Sequence, residues 1–277
     1  MVLPREDKMK TIDLLSLKKI QIDILKHVSI FCEQNNIKYW ITCGTLLGAV
    51  RHGGYIPWDD DIDIGMLRED YEKFCLIFNS NSNRYKLLDY RLDENYFLPF
   101  GKVVDLETVL YEPDENGLKL SVNIDIFVYD YAPKNDKRIK ILYRKCNHLR
   151  DYNLLRNYSF FSHKLSLKKV LLYFAKAFIS LFPKKYFASK MNKIASKSAK
   201  NAGGYLCNFL SYSKVKITYE SIEHLRKIKF EDDLYFAPDN YDEWLRAFYG
   251  EDYMLPPPKD KQISHHEFVA YYINKNE

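Results

Sequence analysis

Two short segments in which aspartate alternates with isoleucine do most to limit how this chain can fold. The first is DIDIGM, which begins at Asp61, and the second is NIDIF at 123–127. Successive side chains along a β-strand point to opposite faces, so each segment predicts a strand with acidic residues on one face and apolar residues on the other. Asp61 and Asp63 then share a face, and Asp125 faces the same way as Asn123.

The residues around these two strands predict a mixed sheet with helices packed on it. Apolar positions at helical spacing predict an amphipathic helix over 13–35, and a buried strand is expected over 38–42. A further helix is expected over about 68–79, and GKVVDLETVLY, from Gly101, has the composition of strands. This order favours an α/β or α+β catalytic core that extends to roughly residue 130.

The paired aspartates favour a metal site. Two carboxylates that share a face repel each other unless a cation lies between them. Oxygen ligands of this kind suit Mg²⁺ or Mn²⁺, which complete their shells with water and substrate phosphates. If the two strands are neighbours, Asp125 joins Asp61 and Asp63 in a site for one or two ions. Asp59 and Asp60 are candidates for extending this metal shell or for holding the loop, and Asp59 is preferred because it has the same odd-numbered phase as Asp61 and Asp63.

A glycine-framed turn lies upstream of the aspartates. Gly44 and Thr45 follow a predicted strand and open a helical run, so backbone N–H groups and the helix dipole can attract a phosphate there. Arg51 and His52 come later in the same run and are candidates for contacts to phosphate oxygens, with proton transfer as a second role for His52. A purely structural histidine is an equally good interpretation.

Lys102, in FGKVVD, is a candidate for neutralising charge on a leaving group, and the alternative is a solvated lysine on a strand. Other chemistry is excluded by motif. The sequence has no Walker A loop, no dinucleotide glycine pattern and no Gly-x-Ser-x-Gly elbow, which argues against motor ATPases, dehydrogenases and serine hydrolases. The five cysteines are scattered without a CxxC pair, and no secretory signal is evident, so we expect reduced thiols and a cytoplasmic location.

Charge is distributed unevenly along the chain. Residues 131–200 contain 18 lysines and arginines against 2 aspartates and glutamates, whereas the net charge of the whole chain is +5. Such a stretch suits nucleic acid, an anionic membrane or an anionic substrate, and a set of solvated helix faces explains it equally well. Because no nucleic-acid recognition motif accompanies it, we do not expect nucleic acid as a partner.

An apolar run, VLLYFAKAFISLF at 170–182, lies inside this basic stretch. It is shorter than the roughly 20 residues that a membrane span needs. The preferred interpretation is a core helix. The alternative is a helix lying in the membrane interface, with the lysines at its ends on lipid headgroups, which would make 168–185 a peripheral contact at the inner face of the cell membrane.

Residues 44–65, GTLLGAVRHGGYIPWDDDIDIG, closely resemble the signature of the LicD family, which includes bacterial phosphocholine transferases and fukutin-related proteins. The likeness continues at 99–108, at 123–127 and at 249–258. It implies an α+β fold with a nucleotidyltransferase-like mixed β-sheet core and helices packed around it. The expected division is a catalytic core over 1–132 and a mostly helical, basic region with a C-terminal tail over 133–277, the two forming one continuous domain.

The resemblance also implies roles for particular residues. Gly44 and Thr45 would form the nucleotide-binding turn, Asp61 and Asp63 would be metal ligands, and Asp125 would be the third acid. Asp105, which also lies on a strand-like run, is the alternative for that third position. One of two histidines in the C-terminal tail, His265 or His266, would reach the site, and the sequence does not select between them.

The activity implied by the resemblance is Mg²⁺-dependent transfer of phosphocholine from CDP-choline to a sugar hydroxyl. The acceptor would be a cell-surface glycan or its lipid-linked precursor, of the teichoic acid, lipopolysaccharide or capsule type. The choline ammonium cannot form hydrogen bonds and needs an aromatic or acidic pocket, for which Trp58, Tyr55 and Tyr96 are candidates. Alternatives are transfer of phosphoethanolamine or a polyol phosphate, nucleotidyl transfer that releases pyrophosphate, and a non-catalytic subunit of glycan assembly.

Overall fold

The computed structural model of the chain describes residues 10–111, 120–157, 167–198, 204–263 and 269–273. The helices within these ranges are α1 (Leu14–Gln34), α2 (Cys43–His52), α3 (Arg68–Ile77), α4 (Asp136–Asn157), α5 (Leu167–Ile179), α6 (Tyr186–Ser198), α7 (Glu220–Glu223) and α8 (Tyr241–Tyr249). The strands are β1 (Thr11–Ile12), β2 (Trp40–Ile41), β3 (Asp63–Leu67), β4 (Tyr85–Leu88), β5 (Gly101–Asp105), β6 (Thr108–Tyr111), β7 (Asn123–Ala132), β8 (Tyr205–Cys207), β9 (Lys216–Thr218), β10 (Leu225–Phe230), β11 (Asp233–Pro238) and β12 (Val269–Tyr272). Helices and a mixed sheet therefore make up an α+β fold, as the sequence predicts.

The central sheet has seven strands and is mixed. Its main path runs β2-β3-β7-β5-β4, and β8 and β9 continue from β7. Strands β3 and β7 are parallel, whereas β5 pairs with β7 in the antiparallel sense. Because β7 is ten residues long, it pairs with β3 and β5 near its start and with β8 at its end. It is the strand on which the rest of the sheet is assembled.

The predicted helices and strands form, with small shifts in their ends. In α1 the five apolar residues that define the helical pattern are all buried, as predicted: Leu17, Ile20, Ile24, Val28 and Phe31. Asp13 caps this helix, its carboxylate accepting a hydrogen bond from the backbone N–H of Ser16 at 2.7 Å. The segment GKVVDLETVLY divides into β5 and β6, and β6 belongs to a separate three-stranded sheet with β1 and β12.

Chain segments after residue 133 take part in the central sheet and in the three-stranded sheet. Strand β8 pairs with β7 of the central sheet, and β12 pairs with β6 of the smaller sheet. The segment around Asn192, in α6, also reaches the core, because its side-chain amide donates to the backbone carbonyl of Pro99 at 2.9 Å. The division into a core over 1–132 and a packed region over 133–277 stays a prediction.

The prediction of a core helix over 170–182 is wrong. Helix α5 leaves most of its apolar side chains exposed, and Ile179 is the one buried member among those whose burial the structure describes. The physical reason is that its large apolar side chains lie mainly on the side turned away from the protein, whereas α4 packs against the other side. None of the helices in the described part of the chain is both long enough and apolar enough to cross a membrane.

Candidate active site

The two acidic strands lie side by side, as the sequence analysis required for a three-carboxylate site. In the parallel ladder between β3 and β7, Asp63 is directly opposite Asp125. The backbone N–H of Asp125 donates to the carbonyl of Ile62 at 2.8 Å, which continues the pairing beyond the end of β3. Paired residues in neighbouring strands have their side chains on the same face, so the two carboxylates share one face of the sheet.

Lys102 lies on the other side of Asp125. It is opposite Asp125 in the antiparallel ladder between β5 and β7, and its Nζ is 2.6 Å from Asp125 Oδ1 and 3.1 Å from Asn123 Oδ1. The side chains of Lys102 and Asp125 are 12% and 18% exposed. The alternative of a solvated strand lysine is therefore wrong, whereas a role toward a leaving group stays a prediction.

Asp105, the alternative third acid, is placed elsewhere. It is fully buried at the far end of β5, where its Oδ2 accepts a hydrogen bond from Arg84 Nη2 at 2.7 Å. Its register partner is Tyr85 of β4 and not a residue of β3. Of the two candidates, only Asp125 lies beside Asp63.

The start of α2 faces the acidic strand. A methyl group added at Gly44 would lie 2.6 Å from Asp59 Oδ2, so the missing side chain is what lets this carboxylate approach the first turn of the helix. The hydroxyl of Thr45 is buried and accepts a hydrogen bond from the backbone N–H of Asp63 at 2.8 Å. Gly44 thus provides close approach, and Thr45 holds Asp63 in position.

A pocket of about 480 Å³ opens between these elements. Six of the predicted residues line it, namely Gly44, Arg51, Trp58, Asp59, Asp61 and Asp63. A smaller cavity of about 60 Å³ adjoins it at Asp61 and is lined in part by Lys102 and Asp125. Asp61 belongs to both walls, so the two cavities meet at the acidic cluster, which we define as Asp59, Asp61, Asp63 and Asp125.

His52 does not line either cavity. It is exposed at the end of α2, where its ring makes an edge contact with Trp58 at 6.2 Å between centroids. Desolvation and the neighbouring charge of Arg51 lower the pKa of His52. Arg51 itself does line the pocket, and its Nη1 donates to the backbone carbonyl of Tyr253 at 2.9 Å.

Electrostatic repulsion is concentrated in the acidic cluster. Burial raises the pKa of Asp63 well above its usual value, and the charges of Asp61, Asp125 and Asp59 raise it further, while Lys102 acts in the opposite direction. Burial and the charges of Asp59, Asp125 and Asp60 likewise raise the pKa of Asp61 well above its usual value. The pKa of Asp59 is raised as well, mainly by burial. A cation placed among these carboxylates would lower all three pKa values.

The chemistry of the cluster fits a hard divalent cation, although its present geometry is not that of a closed metal site. Within the described ranges, no three His, Cys, Asp or Glu side chains are grouped closely enough to hold a metal ion as they stand. Asp59 and Asp61 share a side-chain hydrogen bond, and Asp125 is turned toward Lys102. All four members of the cluster offer oxygen ligands of the type Mg²⁺ prefers. Their role as metal ligands stays a prediction.

The C-terminal segment completes the pocket, which the sequence analysis did not foresee. Tyr249, Asp252 and Tyr253 line it together with Leu255 and Pro257. Burial raises the pKa of the Tyr249 hydroxyl, and the nearby Cys43 and aspartates raise it further. The only sequence signal for this segment was its likeness to the family pattern, because periodicity cannot show that residues so distant along the chain meet.

Two further features of the pocket wall differ from expectation. Tyr55 and Tyr96 are buried away from it, with hydroxyls that donate to Gln21 Oε1 at 2.8 Å and to the carbonyl of Phe100 at 2.9 Å. As candidates for contact with an ammonium group they are wrong, and the aromatic wall consists of Trp58, Tyr249 and Tyr253. His265 and His266 lie outside the described residues.

Cys43, at the first position of α2, was also missed. It lines the pocket with a backbone φ of 48°, in the left-handed region that non-glycine residues seldom adopt. Such strain is commonly found at functional turns, where the surrounding structure holds it in place. Nothing in the local sequence marks this position, because a cysteine has no special preference for the left-handed region.

Comparison with known proteins gives consistent matches. Residues 36–160 match the family model described as LicD/FKTN/FKRP, nucleotidyltransferase domain. The lipopolysaccharide cholinephosphotransferase LicD of Haemophilus influenzae is 28% identical over 268 residues, which cover 96% of this chain and 100% of the relative. An uncharacterized protein of Rickettsia typhi is 40% identical over 103 residues, covering 34% of this chain and 32% of its own. The human ribitol 5-phosphate transferase FKRP is 53% identical over 38 residues, 14% of this chain and 8% of its own.

Proposed function

We propose, on the premise that this chain belongs to the LicD family of phosphotransferases, that it transfers phosphocholine from CDP-choline to a sugar hydroxyl and releases CMP. The acceptor would be a cell-surface glycan or its lipid-linked precursor, with lipopolysaccharide the type favoured over teichoic acid or capsule. The relative that matches along its whole length is named as a lipopolysaccharide cholinephosphotransferase, which supports both choices. The reaction would take place in the cytoplasm or at the inner face of the cell membrane.

The main structural support is the position of three aspartates opposite the start of a helix in one pocket. Asp59, Asp61 and Asp63 line the same wall as Gly44 and the first turn of α2. A helix N-terminus attracts phosphate oxygens through its backbone N–H groups and its dipole. Arg51, on the same helix, adds a fixed positive charge to this wall. A diphosphate bound here would therefore lie between the helix and the carboxylates.

In this mechanism the acidic cluster would hold Mg²⁺, which when bound supplies charge stabilisation to the departing CMP. Asp125, the member of the cluster next to Lys102, would orient the sugar hydroxyl and accept its proton. The hydroxyl oxygen forms a bond to the phosphorus of phosphocholine as the bond from that phosphorus to the CMP oxygen breaks. Lys102, whose Nζ is 2.6 Å from Asp125 Oδ1, would hold this carboxylate in position beside the hydroxyl.

The aromatic side of the pocket is suited to the choline group. A quaternary ammonium interacts favourably with the faces of aromatic rings, and tryptophan is the strongest partner. Trp58, Tyr249 and Tyr253 line the pocket together with Asp252, whose carboxylate adds negative charge. These residues would select a cationic headgroup over an uncharged polyol.

The first experiment is to measure CMP release from CDP-choline and Mg²⁺, with and without cell-envelope glycolipid. We expect acceptor-dependent CMP release that is lost in Asp61→Ala and kept in Asp260→Ala, an exposed aspartate outside the pocket. Equal circular dichroism spectra for both variants would show that the fold is intact.

Other outcomes would separate the competing functions. CMP release from CDP-ethanolamine, or release of a nucleotide from a polyol donor, in the absence of release from CDP-choline would keep the site and overturn the donor. The match to a ribitol 5-phosphate transferase makes the polyol the first alternative to screen. Release of pyrophosphate from a nucleoside triphosphate would identify nucleotidyl transfer instead. Absence of turnover with every donor class would favour a non-catalytic subunit.

A further inference from the structure

Helix α5 presents an apolar surface to the solvent. Leu171, Phe174 and Phe178 are 71%, 72% and 66% exposed, and Leu181, just beyond the helix, is 78% exposed. Their spacing of three to four residues places them on one side of the helix. Val170, Tyr173 and Ala177 are also exposed and flank the same side. We call the surface formed by Leu171, Phe174, Phe178 and Leu181 the α5 face.

The inward side of this helix is the more polar one. Leu172, Ala175 and Lys176 are half-buried and Ile179 is buried, so the charged residue of the segment 170–179 lies on the protein side. Desolvation by this burial, together with the charge of Arg156, lowers the pKa of Lys176. A surface helix in water has the opposite arrangement, with charges outward and apolar residues inward. The α5 face is therefore suited to a medium less polar than water.

The end of the α5 face is held in a fixed position. Arg156 of α4 donates from Nε to the backbone carbonyl of Phe182 at 2.9 Å. The Phe182 ring stacks on Tyr186 at 4.7 Å and contacts Phe187 at 5.7 Å, which joins the turn after α5 to the start of α6. The exposed apolar side chains are thus presented by a helix whose C-terminal end is attached to α4 and α6.

The segment that contains this surface is rich in positive charge. Residues 167–198 contain eight lysines and no aspartate or glutamate. Lys184 follows the α5 face and is exposed, and Lys190, Lys193 and Lys197 are exposed along α6. An exposed apolar face within a lysine-rich segment matches the layered chemistry of a bilayer surface, with acyl chains below and anionic headgroups above. The helix lies outside residues 36–160, which match the family model.

We propose that the α5 face lies in the interface of an anionic membrane, with its apolar side chains at the boundary between headgroups and acyl chains. A second copy of this chain is a poorer partner, because pairing two such faces would bring two lysine-rich segments together without counter-charges. Anionic headgroups neutralise the lysines while the apolar side chains leave water. The inference does not depend on which phosphate-containing group the active site transfers.

Vesicle flotation tests this directly. Wild-type protein is mixed with vesicles of phosphatidylcholine alone or of phosphatidylcholine with phosphatidylglycerol, at low and high salt. We expect flotation with the anionic vesicles, weaker flotation with the zwitterionic ones, and a loss at high salt. The double variant Phe174→Ser/Phe178→Ser should bind at least about tenfold more weakly to both, because apolar area is removed. Lys190→Gln/Lys193→Gln/Lys197→Gln should lose at least about fivefold on the anionic vesicles alone.

Leu76→Ser is the matched control. Leu76 is 82% exposed on α3, so its replacement removes exposed apolar area elsewhere and should leave flotation unchanged. Melting temperatures of all variants should remain close to that of the wild type, since the changed side chains are exposed. Wild-type protein that stays in solution with both vesicle types would overturn the proposal. It would also be overturned by a wild-type dimer in ultracentrifugation that becomes monomeric in the double variant without any vesicle binding.

Discussion

Buried charged residues are arranged in opposite ways at the two ends of the parallel strand pair β3 and β7. At the start of β3 and β7, Asp63 is opposite Asp125, so two like charges are neighbours. Just past the C-terminal end of β3, Arg68 forms an ion pair with Asp130. Its Nε donates to Oδ1 at 2.9 Å and its Nη2 donates to Oδ2 at 2.8 Å. The same backbone pairing therefore creates repulsion at one end and a bidentate ion pair at the other.

The surroundings of the two ends of the strand pair indicate a different role for the charged residues at each end. Arg68 also donates from Nη1 to Asn192 Oδ1 at 2.7 Å, so α3, β7 and α6 are joined through one guanidinium group. Burial alone would lower the pKa of Arg68, but the hydrogen bonds and charge of Asp130 outweigh burial and raise it. In the acidic cluster burial and neighbouring charges act together against ionisation. Paired charge of the first kind is structural, whereas several buried carboxylates that line one pocket indicate a place for a cationic ligand.

Breaking the paired end should have the largest effect on stability. Arg68→Met leaves Asp130 buried without its partner, which typically costs about 3–5 kcal/mol. Urea unfolding of the metal-free protein measures this loss. The double variant Arg68→Met/Asp130→Asn should recover part of it, because no unpaired charge remains. A loss below about 1 kcal/mol in the single variant would mean that the pair is not the structural element described above.

Removing charge from the acidic end should have the reverse effect. Asp63→Asn relieves repulsion, so the free energy of unfolding should rise in the presence of a chelator. Transferase activity should fall by about 10²–10³-fold, the usual loss for one group that stabilises charge in a transition state. Asp130→Asn is the matched substitution at the paired end and should destabilise the protein. If Asp63→Asn and Asp130→Asn both lower the free energy of unfolding, the two ends do not differ in the way described above.

The pH dependence of stability should also separate the two ends. The pKa of Asp63 is raised in the folded protein, so the folded state binds more protons and stability falls as pH rises from about 4, the unfolded value, through the folded pKa. The stability advantage of Asp63→Asn over wild type should therefore be absent near pH about 4 and grow with pH until Asp63 is fully ionised. Unfolding curves at several pH values with chelator present measure it. An advantage independent of pH would show that repulsion is not its cause.

The sequence predicts the acidic end of this comparison well and the paired end not at all. Alternation of aspartate and isoleucine places Asp63 and Asp125 on strands correctly, because a period of two is a local property of a strand, whereas Asp61 lies just before β3 and still lines the pocket. Arg68 and Asp130 lie just beyond and within such strands, yet their pairing depends on the register of β3 with β7. Register is set by tertiary packing, which a single sequence does not display.

The same distinction explains the errors elsewhere. Gly44 was found because a turn is a local feature, whereas Tyr249 and Asp252 reach the pocket only through the packing of α8 near α2. The exposed side of α5 was missed for a related reason. An apolar run predicts that its side chains are removed from water. It does not specify whether protein or membrane covers them.

The smallest expected effect on stability is that of replacing Lys102, the cationic side chain next to Asp125. Lys102 and Asp125 are 12% and 18% exposed, whereas Arg68 and Asp130 are 10% and 0% exposed. Asp125 keeps access to water through the cavity it lines, so Lys102→Met should cost only about 1 kcal/mol of stability, near the value for a surface ion pair.

Urea unfolding beside Arg68→Met gives the direct comparison, with Lys102→Arg as the charge-conserving control that should retain most of the stability. Because the charge of Lys102 lowers the pKa of Asp63, its loss should raise that pKa further and extend the pH dependence of the wild type to higher pH. A cost as large as that of Arg68→Met would show that Lys102 and Asp125 form a second structural pair. The acidic cluster would then consist of Asp59, Asp61 and Asp63 alone.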